Sequence, residues 1–196
     1  IFGLEQEFFF YDTQSKLPLG MKKDKKNDII VGYSGFQGPY YCGVGAGKVF
    51  GRHIAEKSLN NLLYCGLNIT GMNFEVAPGQ CEFQLCEKGI TAADDLLLLR
   101  YILVRTAEEF NISINFFPKP VKGDWNGSGC HINYSTKSMR KENGITEIMK
   151  AIEKLKEKHQ EHIEVYGDHN DLRLTGKHET ASIHQFSYGV ADRGSS

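Results

Sequence analysis

Neither sign of charge dominates this sequence: 23 lysines and arginines stand against 24 aspartates and glutamates, a net charge of −1. Without an excess of either sign there is no long-range field to gather nucleic acid or a charged membrane, and neither is expected as a partner. Long hydrophobic runs are missing as well. The richest stretch, Leu96 to Leu99, is far too short to span a bilayer, and no stretch reads as a signal peptide. Cysteine is unpatterned. Cys42, Cys65, Cys81, Cys86 and Cys130 are odd in number and lack repeated spacing. That points to a reducing compartment rather than a disulfide framework, so the cytoplasm is the expected location. No internal repeat is visible.

What is there is ordinary for a soluble globular chain, with 40% hydrophobic and 24% charged residues. At 196 residues it makes one large domain or two small ones, and can bury roughly 70% of its unfolded surface. The sequence opens at Ile1 inside a strand-like run and closes on Gly194-Ser195-Ser196 with no final element. It therefore reads as an interior piece of a longer protein.

Residues 1–11 read as a strand. Residues 13–46, rich in Lys, Gly and Pro, read as a long connection holding short extended pieces, and their basic run from Lys22 to Lys26 as a solvated loop. From about Gly47 to Cys65 the apolar residues Phe50, Ile54, Leu59, Leu62 and Leu63 recur at helical spacing, and Gly66 stops that helix. A strand–turn–strand pattern fills 67–85. Thr91-Ala92-Ala93-Asp94 has the form of a capping box opening a helix to about Phe110. Strands over 112–117 and 128–135 follow, the second bringing His131, Asn133 and Ser135 onto one face. Ile145 to about Val165 is an amphipathic helix with Ile148, Ile152 and Leu155 inward, and the last thirty residues are polar and loop-like. The pattern predicts an α+β domain with a mainly antiparallel sheet flanked by long helices.

Four glutamates and one histidine carry the chemistry. Glu5 and Glu7 lie two apart in Phe2-Gly3-Leu4-Glu5-Gln6-Glu7-Phe8-Phe9-Phe10, so a strand points both the same way. Glu75 and Glu82 flank the turn Ala77-Pro78-Gly79, and His131 ends Asn126-Gly127-Ser128-Gly129-Cys130-His131. Unit charges ~4 Å apart repel by ~4 kcal/mol at an effective dielectric near 20. Carboxylates gathered that closely need divalent cations or must keep a proton, which suggests a metal and phosphate site. Competing motifs fall away. Gly43-Val44-Gly45-Ala46-Gly47-Lys48 lacks the Ser or Thr that a phosphate loop needs after its Lys. Cys81, Cys86, Cys130 and His131 have the wrong spacing for a zinc knuckle. His159, His162 and His169 sit on a charged helix or just after it, where solvation is expected.

Phe2-Gly3-Leu4-Glu5-Gln6-Glu7 resembles the opening metal strand of eukaryotic-type glutamine synthetases. Gly38-Pro39-Tyr40-Tyr41-Cys42-Gly43-Val44-Gly45 is similar to that family's next signature, as are Asn126 to His131 and Asn133-Tyr134-Ser135-Thr136-Lys137-Ser138-Met139-Arg140. Arg173-Leu174-Thr175-Gly176, His178-Glu179-Thr180 and Gly189-Val190-Ala191-Asp192-Arg193-Gly194 complete the match, in family order along almost the whole chain.

The resemblance implies a curved sheet of the glutamine synthetase catalytic-domain kind, incomplete at both ends. Residues 1–196 would form part of a single ATP-dependent ligase catalytic domain, without the family's N-terminal β-grasp domain or its C-terminal remainder. Two or three Mg²⁺ or Mn²⁺ ions would lie between ATP and glutamate. Glu7, Glu75 and Glu82 would hold one ion, while Glu5 and His131 would hold part of another. Asn133 and Ser135 would contact the nucleotide, with Glu82 and Arg193 on its phosphate side. Asn126, Gly127 and Gly129 would take the glutamate backbone, their glycines letting main-chain amides come close to an anion. Arg173 would hold a substrate carboxylate or phosphate, and Glu179 would gate the site against water and help receive ammonium. The implied product is glutamine, formed through γ-glutamyl phosphate with release of ADP and phosphate. Family sites form between subunits of a homo-oligomer, so the isolated 196 residues are expected to be inactive.

The family usually has Asp where Gly47 stands, Trp where Cys81 stands, and one residue more across Glu82–Glu87. Loss of a Trp next to Glu82 predicts thinner packing beside that ligand. Two other readings use the same residues. One is a γ-glutamyl ligase taking another amine; the other is a non-catalytic structural relative, against which the presence of all five ligands argues.

Overall fold

A computed structural model of the chain describes residues 1–196 apart from 25–29, 33–34, 179, 191, 193 and 195–196. The chain divides into two compact units, Ile1–Tyr134 and Ser135–Ser196.

The first unit is built on an antiparallel sheet whose central strand β1, Phe2–Asp12, is long enough to serve several partners. On one side β1 pairs with β5 (Gln80–Glu87), which in turn pairs with β4 (Ile69–Phe74). On the other, β6 (Ile112–Asn115) pairs with Phe9–Asp12 and β7 (Cys130–Tyr134) with Phe2–Gln6. A separate small pair joins β2 (Met21–Lys23) and β3 (Ile30–Gly32) within the long connection. The strands thus agree with the sequence pattern, and so does the α+β class.

Alternation along β1 sorts its side chains. Leu4, Phe8 and Phe10 point to a core formed with Phe83 and Leu85 of β5 and with two helices, α1 (Arg52–Tyr64) and α2 (Thr91–Glu108). The helices contribute Ile54, Ala55 and Leu62, then Leu99, Ile102, Leu103 and Ala107. Phe8 stacks on Phe83 at 6.0 Å and meets Phe10 edge-on at 5.2 Å. Each fully buried side chain of this size stabilises by roughly 1.5–3 kcal/mol. The sheet is therefore anchored from its apolar face, and Glu5 and Glu7 are left on the other.

Helix α1 starts at Arg52, five residues later than its periodicity predicts, because Gly51 takes a left-handed φ of 99° immediately before it. Its end follows the expectation. Gly66, at φ 83°, donates to Leu63 O while Leu67 donates back to Leu62 O, the paired bonds of a Schellman stop. The predicted capping box at Thr91–Asp94 does not form. Ile90 already has helical dihedrals (φ −66°, ψ −25°) and accepts from Ala93 and Asp94, so Thr91 is inside the first turn and caps nothing.

The single helix predicted over 145–165 is two, α3 (Ile145–Glu157) and α4 (His159–Val165). Lys158, at φ −108° and ψ 8°, leaves helical geometry and bonds to Leu155 O, closing α3 with a tight turn. Ile148 is 37% exposed, and no residue of α3 is buried. A 3₁₀ turn at Asn170–Leu172 and a bridge between Thr175 and Ser182 complete this second unit. No helix among the described residues is long and apolar enough to cross a membrane. All five cysteines are free thiols.

Candidate metal centre

The polar face of the sheet gathers its acids by register. In the β1–β5 pair Glu7 lies opposite Glu82 and Glu5 opposite Gln84; in the β1–β7 pair Glu5 lies opposite His131 and Gly3 opposite Asn133. Directly opposed residues on one sheet face have Cβ atoms only about 4.5–5.5 Å apart. Glu75 joins from the turn between β4 and β5, where its amide bonds to Gln80 O. That turn is tight because Gly79 adopts φ +69°. A Cβ there would fall 2.6 Å from Leu19 O.

Among the described residues two groups of possible ligands result. Glu7, Glu75 and Glu82 offer oxygens within 4.8 Å of one another, and so do Glu5, Glu82 and His131 with one atom each. Glu82 belongs to both. Glu7 and Glu82 are 6% and 5% exposed and Glu75 9%. The second group is more open, with the Glu5 and His131 side chains 33% and 44% exposed and His131 Nδ1 3.7 Å from Glu5 Oε2. Burial, then the charges of Glu75 and Glu5, push the Glu82 carboxyl up to about 7, against the opposing effect of a hydrogen bond from Gln84. A carboxylate that resists ionisation among like charges is what a divalent cation relieves. Oxygen donors with one imidazole suit Mg²⁺ or Mn²⁺ better than a structural zinc.

Amides orient these carboxylates. Gln84 Nε2 donates to Glu82 Oε1 at 2.6 Å, Asn73 Nδ2 to Glu75 Oε1 at 2.9 Å, and Asn133 Nδ2 to Glu5 Oε1 at 2.5 Å. Gln84 and Asn73 are not among the residues singled out from the sequence. The signal was present, since each lies two residues from an acid on the same strand or its extension.

The segment Asn126–Gly129 packs beside this face, and its backbone is largely engaged. Asn126 N–H donates to Gln37 Oε1 at 2.5 Å, Ser128 N–H to Pro118 O at 2.9 Å, and Gly129 N–H to Glu7 Oε2 at 2.5 Å. Buried Gln80 donates to Gly127 O at 2.9 Å. The Asn126 and Gly129 amides, two of those expected to approach an anionic substrate, are thus engaged within the chain itself.

The remaining predicted residues are placed as follows. Ser135 belongs to the second unit, where Arg140 donates to its hydroxyl at 2.8 Å and to its carbonyl at 2.6 Å. Arg173 follows the 3₁₀ turn of that unit, and its carbonyl accepts from Thr180 Oγ1 at 3.2 Å. Glu179 and Arg193 lie outside the described residues. Cys81 is fully buried on the apolar face with Phe8 and Phe83, so the position where the family usually has Trp packs behind the sheet and not beside the Glu82 carboxylate.

Comparisons with known proteins bear on this geometry. The family described as glutamine synthetase, catalytic domain, matches residues 1–163. A glutamine synthetase cytosolic isozyme of Pinus sylvestris is 54% identical over 100% of this chain and 53% of its own length. The glutamine synthetase of Yarrowia lipolytica is 55% identical over 100% of the chain and 52% of its own. A putative glutamine synthetase of Acanthamoeba polyphaga mimivirus is 50% identical over 98% and 52%. The chain spans about half the length of the curated relatives it matches. In fold it is similar to a cryo-EM structure of Plasmodium falciparum glutamine synthetase, with a TM-score of 0.53 and 23% identity, covering 67% of this chain and 29% of that one.

Proposed function

Because the chain belongs to the family of glutamine synthetase catalytic domains, we propose that the protein joins ammonia to the side-chain carboxylate of L-glutamate, using ATP. The observation that carries this reading is the pair of ligand groups sharing Glu82 on the polar sheet face. Glu7, Glu75 and Glu82 would hold one ion, and Glu5 and His131, with Glu82 in reach, would hold a second. Bound there, Mg²⁺ or Mn²⁺ neutralises the phosphate oxygens of ATP. Asn133 and Ser135 contact the nucleotide, and Arg193 and Glu82 face its phosphates. Asn126, Gly127 and Gly129 seat the glutamate backbone. Arg173 grips an anionic group of the substrate with its planar fork.

The glutamate side-chain carboxylate attacks the γ-phosphorus and ADP leaves, giving γ-glutamyl phosphate. Ammonia then attacks the acyl carbon, the carbon–oxygen bond to phosphate breaks, and the departing phosphate takes the proton lost from nitrogen. The protein supplies position and charge for these steps and no nucleophile of its own. Glu179 gates the site and helps receive ammonium, since an acyl phosphate reached by water would be hydrolysed. Residues 1–196 form part of one catalytic domain, the whole protein is a homo-oligomer with sites shared between subunits, and it works in the cytoplasm, which agrees with relatives named cytosolic isozymes.

Titration with Mn²⁺ by calorimetry tests the site, comparing the chain with a Glu7→Gln, Glu82→Gln double variant. Loss of binding in the variant is the expected result, and equal binding would move the metal elsewhere. Glutamine formation from glutamate, ammonium and ATP by the full-length protein tests the reaction. A full-length protein that binds Mn²⁺ yet makes no glutamine would overturn it.

A further inference from the structure

The face of β1 that packs on the helices carries one polar residue among Leu4, Phe8 and Phe10. Gln6 is 3% exposed. A buried primary amide must satisfy both of its ends, and this one does so by joining three elements. Its Nε2 donates to the carbonyl of Glu7 at 2.7 Å and to that of Gly129 at 3.3 Å. Its Oε1 accepts from Arg100 Nε of α2 at 2.8 Å. Gly129 is itself tied twice to Glu7, accepting from Glu7 N–H at 2.9 Å and donating to Glu7 Oε2 at 2.5 Å. The Gln6 amide therefore closes a clamp around the backbone of a candidate ligand and of the loop that hydrogen-bonds its carboxylate.

Arg100 determines which way that amide faces. A guanidinium only donates, so Oε1 must turn toward it and Nε2 toward the two carbonyls. The reversed amide would set donor against donor at Arg100 and oxygen against two oxygens at Glu7 and Gly129. Arg100 is held for this task. Its guanidinium lies over the Phe116 ring at 5.7 Å and hydrogen-bonds the Cys130 side chain, next to Gly129.

We propose that Arg100 is a positioning residue for the metal-binding carboxylate of Glu7, acting from the opposite face of the sheet through Gln6 and the Glu7–Gly129 clamp. The link to metal rests on the reading of Glu7 as a ligand; the clamp itself does not. Its contribution is to keep the Glu7 carboxylate at one angle before any ion arrives, as outer partners of metal ligands do.

Two readouts keep these apart. In metal-free protein, amide exchange at Gly129 measured by NMR should speed at least about tenfold in Arg100→Met, as loss of support for a hydrogen bond to a charged group requires. Exchange at Leu103 in the core of α2 should stay unchanged, and Arg100→Lys, which keeps a charged donor, should restore much of the Gly129 protection. Mn²⁺ affinity by calorimetry should fall roughly 10–100-fold in Arg100→Met. Gln6→Met should lose a similar amount, and the double variant no more than either alone. Additive losses, or unchanged Gly129 exchange, would overturn the proposal, as would equal Mn²⁺ affinity in a variant whose Gly129 exchange has sped up. If the unsubstituted chain binds no Mn²⁺, the metal reading fails while Gly129 exchange still decides the clamp. Should Arg100→Met fail to fold, Gln6→Met and Arg100→Lys carry the same comparison.

Discussion

Glu7 and Glu82 stand directly opposite one another across the antiparallel pair β1–β5, on the face of the sheet turned away from the helices. Two nearly buried acids in that relationship repel, and only Glu82 of the set also reaches the group that contains Glu5 and His131. Glu82→Gln should therefore weaken Mn²⁺ binding at both positions, whereas Glu75→Gln should weaken one and leave the other. Calorimetric stoichiometry distinguishes the two outcomes.

The same repulsion sets a pH dependence in metal-free protein. Glu82 titrates near 7 in the folded chain, above its ordinary value of 4.5, so the folded state binds more protons than the unfolded one between those values. The contribution of this group is fully present below the unfolded value and is lost as pH rises through about 7. The loss should be on the order of 2–3 kcal/mol. Chemical denaturation at pH 5 and pH 8 should show it, Glu82→Gln should flatten it, and saturating Mg²⁺ or Mn²⁺ should restore stability at the higher pH.

Gly79 links the two acids of the β4–β5 turn at a φ of +69°, with Leu19 O close to where a Cβ would stand. Gly79→Ala should lower unfolding free energy by roughly 1–3 kcal/mol and weaken Mn²⁺ binding by displacing Glu75. Urea denaturation together with calorimetry measures both. A variant as stable as the parent would mean that the turn relaxes freely.

Leu103 of α2 is wholly buried against the apolar face of the sheet. Leu103→Ala should cost about 2–5 kcal/mol in urea denaturation. Mn²⁺ affinity of the protein that remains folded should be unchanged, because the core and the acids occupy opposite faces.

Local patterns in the chain were legible where one period decides. Two-residue spacing put Glu5 and Glu7 together, the apolar repeat placed α1, and Gly66 ended α1 as expected. Thr91 misled because a capping box is recognised by residue type, while the cap is decided by dihedrals, and Ile90 was already helical. The run over 145–165 carries no Gly or Pro to mark the break at Lys158. Gln6 escaped notice because its partners are far along the chain: Arg100 is 94 residues away and Gly129 123.

Which acids could share a strand face, which stretches could bury apolar surface and which family the motifs follow were matters of sequence alone. The convergence on Glu82 was not. It depends on the register of β1 against β5 on one side and β7 on the other. A slip of one residue in either pair would turn its polar set into the core. That register is held by Phe8 on Phe83, by the tight Gly79 turn and by the long return of the chain to β7, and these are contacts that exist only once the sheet has closed on its helices.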